Sequence, residues 1–277
     1  MASKTKKAKL ELDHYEIVKV FALIIVNEKF QGDVANRYPN RHGADADRKK
    51  LKEACKTATF TVNDIKGLND TSTLKFKRNI DQETTDDSKI DGQETDDQET
   101  DDQETDDQET NDMETDDLTG DEMRNLFKTI SKADFSSYDA FTCFISSHGG
   151  SEGIVGVDGD TVPINTLVDY LKKCPTLVDK PKLLFIQNCR GTRIDHGIRK
   201  PKGNTVADHG FSVTVPTEAD ILVAYSSVDG YEAYRDHEEG SWFITELTKV
   251  LKKHVHSKQL TDMLAIVNDL VSNRQSE

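Results

Sequence analysis

The chain alternates short, continuous apolar runs with longer stretches whose apolar residues recur at helical spacing. Val20 to Val26 is apolar at every position, Phe141 to Ile145 at nearly every one, and Lys182 to Ile186 at every one after the first. Continuous runs of this length predict strands buried on both faces of a sheet. Ala58 to Val62 and Asp220 to Tyr225 predict two further strands. Between them, Asp45 to Ala58 places Leu51, Ala54 and Cys55 at helical spacing, and Pro163 to Lys173, Trp242 to Val250 and Leu260 to Val271 also predict helices. Thr119 stands three residues before Glu122, a capping box ahead of Met123, Leu126, Phe127 and Ile130. Ile154 to Val162 predicts a hairpin turning at Asp158-Gly159. Strands alternating with helices imply an α/β fold, a mostly parallel sheet covered on both faces.

One segment breaks this pattern. Gln-Glu-Thr-Asp recurs five residues apart until Asp117. A five-residue acidic period fits neither helix nor strand burial, so 81–117 is expected to be a disordered, solvated insert. It holds nineteen Asp or Glu against one lysine, Lys89, for a net of −18. The whole chain carries −15, so the remainder sits near +3, the balance of an ordinary domain. The acidity describes the insert and says little about the fold. Nor does the repeat supply the turn glycine and closing glutamate of a calcium-binding loop.

The start, Met1 to Lys9, is polar and lysine-rich rather than signal-like, and Val20 to Val26 is too short to cross a membrane. Cys55, Cys143, Cys174 and Cys189 lack metal-ligand spacing, and without a secretory context they form no disulfide framework. The expected compartment is the reducing cytoplasm, and no metal or organic cofactor is implied. Cys55, Cys143 and Cys174 are expected only to pack. His254 and His256, two apart, cannot share a helical face for metal binding. Cys189 and His148 are different. Each follows a buried apolar run and has a glycine beside it, Gly191 for the thiol and Gly149 for the imidazole. Catalytic groups of open α/β sheets gather at the carboxyl ends of strands. That placement suits a cysteine nucleophile with a histidine base.

Five segments, in order, resemble the caspases: Ala22 to Glu28; Arg41-His42-Gly43 with Asp47; Ser146-Ser147-His148-Gly149; Lys180-Pro181-Lys182 through Gln187-Asn188-Cys189-Arg190-Gly191; and Gly240 to Ile244. The histidine lies 41 positions before the cysteine, close to the spacing of that family. The resemblance implies a three-layer sandwich and an aspartate-specific cysteine endopeptidase of apoptosis-type proteolysis. Cys189 would be nucleophile and His148 general acid–base, with the N–H groups of Gly149 and Cys189 holding the oxyanion. Arg41, Gln187 and Arg235 would bind the substrate aspartate, a carboxylate that demands charge and a planar hydrogen-bonding fork. Tyr234 and Trp242 would wall the neighbouring subsites.

The resemblance also implies a division of the chain: a short segment 1–15, then a caspase-like domain 16–277. A large subunit would span about 16–195 and a small one about 209–277. Family members mature by cleavage in the connection between them, here about 191–218, so Asp208 is the expected main processing site and Asp195 a second. Each repeat ends in aspartate with glutamate two before it, so the repeats could also act as a tethered pseudo-substrate. The family usually has alanine where this chain has Asn188. Caspases also continue through a final sheet strand that forms the dimer interface, and the chain is expected to lack it. The partners implied are protein substrates with aspartate before the scissile bond, and a second copy or a full-length caspase in a dimer. No nucleic-acid or membrane partner is implied. The short start is effector-like. The alternative function is an inactive homologue that regulates a full-length caspase by binding it.

Overall fold

Strand β1 (Val20–Val26) is buried at all seven positions, as its unbroken apolar run requires. It belongs to a computed structural model that describes residues 17–30, 32–62, 115–189, 213–214, 220–227 and 233–274. Along the chain follow α1 (Val34–Arg37), α2 (Ala44–Thr57), β2 (Thr61–Val62), α3 (Gly120–Ile130), β3 (Ala140–Ser146), β4 (Gly149–Gly150), β5 (Gly153–Val155) and β6 (Thr161–Val162). The second half contains α4 (Ile164–Lys172), a 3₁₀ turn at Pro175–Leu177, β7 (Lys182–Gln187), β8 (Val213–Thr214), β9 (Ile221–Tyr225), β10 (Arg235–Asp236), β11 (Gly240–Ser241), α5 (Trp242–His254) and α6 (Leu260–Ser272).

The main sheet has the order β2-β1-β3-β7-β9-β8, parallel except where β8 runs against β9. Side chains alternate across it. Phe21, Leu23 and Ile25 of β1 join Met123, Leu126, Phe127 and Ile130 of α3 and Leu167 and Leu171 of α4 on one side. Ala22, Ile24 and Val26 meet Leu51 of α2, Leu247 and Leu251 of α5 and Leu264 of α6 on the other. Phe144 and Phe185, register partners on β3 and β7, stack at 5.0 Å between ring centroids. The architecture is therefore the expected α/β sandwich, a mostly parallel sheet with helices on both faces. Two small sheets stand apart from it: the β10–β11 hairpin and the β4-β5-β6 strip.

The capping box forms as its sequence requires. Thr119 Oγ1 accepts from the Glu122 N–H at 3.2 Å, and the Glu122 carboxylate accepts from the Thr119 N–H at 2.8 Å. The hairpin closes with Gly159 at a φ of +81°, in the left-handed region that suits glycine.

Three expectations need correction. The second strand covers only Thr61–Val62, because Ala58 ends the α2 hydrogen bonding and Thr59 sits at a φ of +59°. Val213–Thr214, placed in the polar connection by sequence, pairs with Val223 and Ala224. The acidic insert does not stay solvated to Asp117. Residues 115–117 lie along β1, where β2 has left the edge open beyond Ala22. Thr115 Oγ1 donates to the Ile24 carbonyl at 2.6 Å, the Asp117 N–H donates to the Val26 carbonyl at 3.1 Å, and Asp116 Oδ1 accepts from the Val26 N–H at 3.1 Å. The rest of the insert, 81–114, lies outside the described residues.

Candidate active site

The parallel register of the central strands brings the expected catalytic pair together. Ser146 of β3 faces Gln187 of β7, and His148 and Cys189 each lie two residues beyond that pair, at the same carboxyl edge. The Ser147 N–H donates to the Gln187 carbonyl at 3.1 Å, which carries the pairing one step past the ladder. Cys189 is half-buried, whereas Cys55, Cys143 and Cys174 are all buried in the core.

His148 Nε2 lies 2.7 Å from the Pro39 carbonyl oxygen. A carbonyl can only accept, so Nε2 carries the hydrogen and donates it, leaving Nδ1 as the basic nitrogen of the neutral ring. The ring is held edge-on against Phe30 at 4.9 Å and beside Tyr38 at 5.5 Å. Burial pushes its pKa down to about 4, the Arg41 and Arg235 charges add to the shift, and the Pro39 hydrogen bond opposes it. At neutral pH His148 is an unprotonated base.

Beyond this pair lies a cationic recess. Arg41 is 1% exposed, its guanidinium donating to the Asn27 carbonyl at 2.7 Å and to Ser146 Oγ at 2.9 Å. Burial first, then the facing charge of Arg235, lowers its pKa to about 9, still protonated at neutral pH. Arg235 is half-buried on β10, its pKa likewise lowered, chiefly by burial. Gln187 is buried, and its Oε1 has no hydrogen-bond partner among the described residues. Three of the expected carboxylate binders thus stand at one strand edge, two of them guanidiniums that repel each other.

Asp47 offsets that repulsion, and no sequence signal had given it this role. Its carboxylate is fully buried and accepts from the Ser241 N–H at 2.7 Å, Ser241 Oγ at 2.5 Å and Ser146 Oγ at 3.3 Å. Burial raises its pKa, while the Ser241 hydrogen bonds and, less, both arginines hold it down. Close backbone approach makes the contact: a Cβ on Gly240 would lie 2.4 Å from Asp47 Oδ1, and one on Gly43 would lie 2.3 Å from the Asp236 carbonyl oxygen. Helix α2 and the β10–β11 hairpin that carries Arg235 are fastened together there. Tyr234 and Trp242 stack at 4.7 Å on the flank of the same hairpin.

Asn188 turns away from the edge. Its side-chain amide donates to the Gly153 carbonyl at 3.3 Å, and its own carbonyl accepts from the hydroxyls of Ser226 and Ser227. The amide packs beneath Gly149, where an added Cβ would meet Asn188 Nδ2 at 2.2 Å. Asp195 and Asp208 lie outside the described residues. Among the described residues no cluster of three or more His, Cys, Asp or Glu could hold a metal, and no helix is long and apolar enough to cross a membrane.

A thiol and an imidazole on adjacent parallel strand ends, beside a recess with two guanidiniums, can carry out acyl transfer on a substrate that bears a carboxylate. The chain belongs to the caspase family: residues 19–277 match the family model described as the caspase domain. It is similar to caspase-3 of Bos taurus, 40% identical over 153 residues that make up 54% of each chain. Caspase-3 of Xenopus laevis is 43% identical over 150 residues, 52% of this chain and 51% of that one. Caspase-7 of Gallus gallus is 38% identical over 157 residues, 54% and 50% of the two chains. Each match thus spans about half the length of the relative.

Proposed function

We propose that the protein is a cysteine endopeptidase that cleaves after aspartate in cytoplasmic proteins, in proteolysis of the apoptotic kind. The observation that carries this reading is the Ser146–Gln187 register, which sets His148 and Cys189 at one edge beside Arg41. His148 Nδ1 takes the thiol proton as sulfur attacks the scissile carbonyl carbon. The N–H groups of Gly149 and Cys189 receive the oxyanion, about 3 kcal/mol per donor. Collapse of the tetrahedral species expels the amine, which leaves with the proton from His148. Water, deprotonated by the same nitrogen, then hydrolyses the thioester and restores the thiol. Arg41, Arg235 and Gln187 bind the substrate aspartate, and Tyr234 and Trp242 wall the neighbouring subsites. Its charge balances the recess, since Asp47 offsets one guanidinium and the substrate the other. Cleavage after Asp208, with Asp195 second, would separate the two subunits, and mass spectrometry of the active protein should find the 191–218 connection cut.

The test is hydrolysis of paired fluorogenic peptides ending in Asp or Asn, by the protein and its Cys189→Ala variant. Turnover of the Asp peptide alone, lost in the variant, is the expected result. No turnover by a folded, concentrated chain would overturn the proposal in favour of a homologue that acts by binding a full-length caspase.

A further inference from the structure

The stretch that fills the open half of the β1 edge is itself a copy of the acidic repeat. Thr115-Asp116-Asp117 ends the array, and the same tripeptide stands at 85–87, 95–97, 100–102 and 105–107, with an Asn variant at 110–112. Nearly every contact that holds the seated copy uses a group that every copy has. The threonine hydroxyl donates to the Ile24 carbonyl. The first aspartate accepts from the Val26 N–H and pairs with Arg48 Nε at 2.6 Å. The second accepts from the Glu28 N–H at 2.6 Å and the Lys29 N–H at 2.8 Å, and its own N–H reaches the Val26 carbonyl. Two carboxylates thus meet three backbone N–H groups and a guanidinium, a donor set matched to a Thr-Asp-Asp sequence.

What marks out the seated copy is its neighbour. Leu118 is 2% exposed and its N–H donates to Asn27 Oδ1 at 2.8 Å. The upstream copies are followed instead by Ser88, Gln98, Gln103 and Gln108, and the Asn variant by Met113. Leu118 can stay in place while an upstream copy enters the seat, because the residues between then form a loop whose ends meet. The closure cost grows only with the logarithm of loop length, about 0.6 kcal/mol for each doubling. A copy on a short tether is present at roughly millimolar effective concentration.

We propose that this seat recognises the repeat unit, so that an upstream Thr-Asp-Asp of the same chain can replace Thr115-Asp116-Asp117. The seat adjoins the candidate active site. The Glu28 carbonyl, one atom group away from the N–H that Asp117 holds, accepts from the Arg41 N–H at 2.9 Å, and Phe30 packs on His148. The array therefore keeps the loop between β1 and Arg41 pinned even when one copy is lost.

The test uses the full chain and amide hydrogen exchange at Glu28 and Lys29, whose N–H groups the second aspartate holds. Three variants are compared: Thr115→Ala, Asp116→Ala and Asp117→Ala together; the corresponding changes at 85–87, 95–97, 100–102, 105–107 and 110–112; and both sets combined. The upstream changes alone should leave exchange unchanged. The seat changes alone should raise it by less than about threefold, and the combined set by tenfold or more, the effect of losing hydrogen bonds to a charged acceptor. Equal acceleration in the seat variant and the combined variant would overturn the proposal, as would no acceleration in either. A protection in the seat variant that disappears on dilution would assign the replacing copy to a second molecule and overturn the intramolecular form. The thermal midpoint of each variant separates local loss of protection from global unfolding.

Discussion

The Pro39 carbonyl fixes which nitrogen of His148 is free to act, and burial, helped by the two arginines, fixes how basic that nitrogen is. Depressed to about 4, the imidazole stays neutral down to acid pH. For a peptidase using His148 as base, kcat/KM on an Asp peptide should stay level from about pH 7 to about pH 5 and fall below that. An acidic limb near the ordinary histidine value of about 6.5 would contradict the geometry. Stability follows the same sign. Between about 6.5 and 4 the unfolded chain binds a proton at this residue that the folded chain does not, so acidification across that window favours unfolding. Asp47 offers a sharper test. Asp47→Asn keeps the shape and removes the buried charge that offsets the two guanidiniums, so KM for the Asp peptide should rise about tenfold or more with kcat little changed, because the arginines then stand uncompensated. An unchanged KM would remove Asp47 from the substrate site. Cys189, His148, Arg41 and Gln187 are proposed from the sequence because each stands in a short, specific motif, while Arg235 lies outside the five segments that resemble the caspases. Asp47 had no such role in the sequence, since its partner Ser241 is 194 residues away and only the fold unites them.

The glycine strip β4–β5 turns that site into a candidate oxyanion hole. A methyl on Gly149 would press on Asn188 Nδ2 at 2.2 Å and on the Gly153 carbonyl at 2.6 Å. Gly149→Ala should therefore displace the strip and lower kcat about a hundredfold with little change in KM, the cost of one misplaced oxyanion donor. A kcat within twofold of the parent would refute the assignment. At the start of α3, Thr119→Ala removes the helix cap and should cost about 1 kcal/mol, seen as a lower thermal midpoint with unchanged kcat/KM. Long elements such as β1, β3, β7 and α3 were legible because period and caps accumulate over many residues. Two-residue strands carry no period, which is why β4, β8, β10 and β11 emerged only from pairing across the chain. The seating of the last repeat is hidden for a related reason: most of its partners are backbone groups of β1 and the turn after it, which leave no trace in the polar pattern.

The charge of the insert allows a test at the scale of the whole molecule. Residues 81–114 carry seventeen acidic side chains and one lysine, and without them the chain would stand near +1 rather than −15. On the proposed function, a peptide with several acidic residues meets two opposed influences, attraction by the recess of Arg41 and Arg235 and repulsion by the net charge of the array. Salt screens charges separated by more than the Debye length, about 8 Å at 0.15 M and 30 Å at 0.01 M. The recess acts on bound substrate at contact, where screening is weak, whereas the array acts on approach. For the full chain, kcat/KM on an acidic peptide should therefore rise as salt increases from about 0.01 M to about 0.15 M. Deleting 81–114 leaves Thr115-Asp116-Asp117 on β1 and removes the repulsion, so the slope should reverse and kcat/KM should fall with salt, as for steered association to a cationic site. A neutral peptide ending in the same aspartate is the control and should show a much weaker slope in either protein. Equal slopes for the full and deleted chains on the acidic peptide would mean that the array's charge is not felt at the recess.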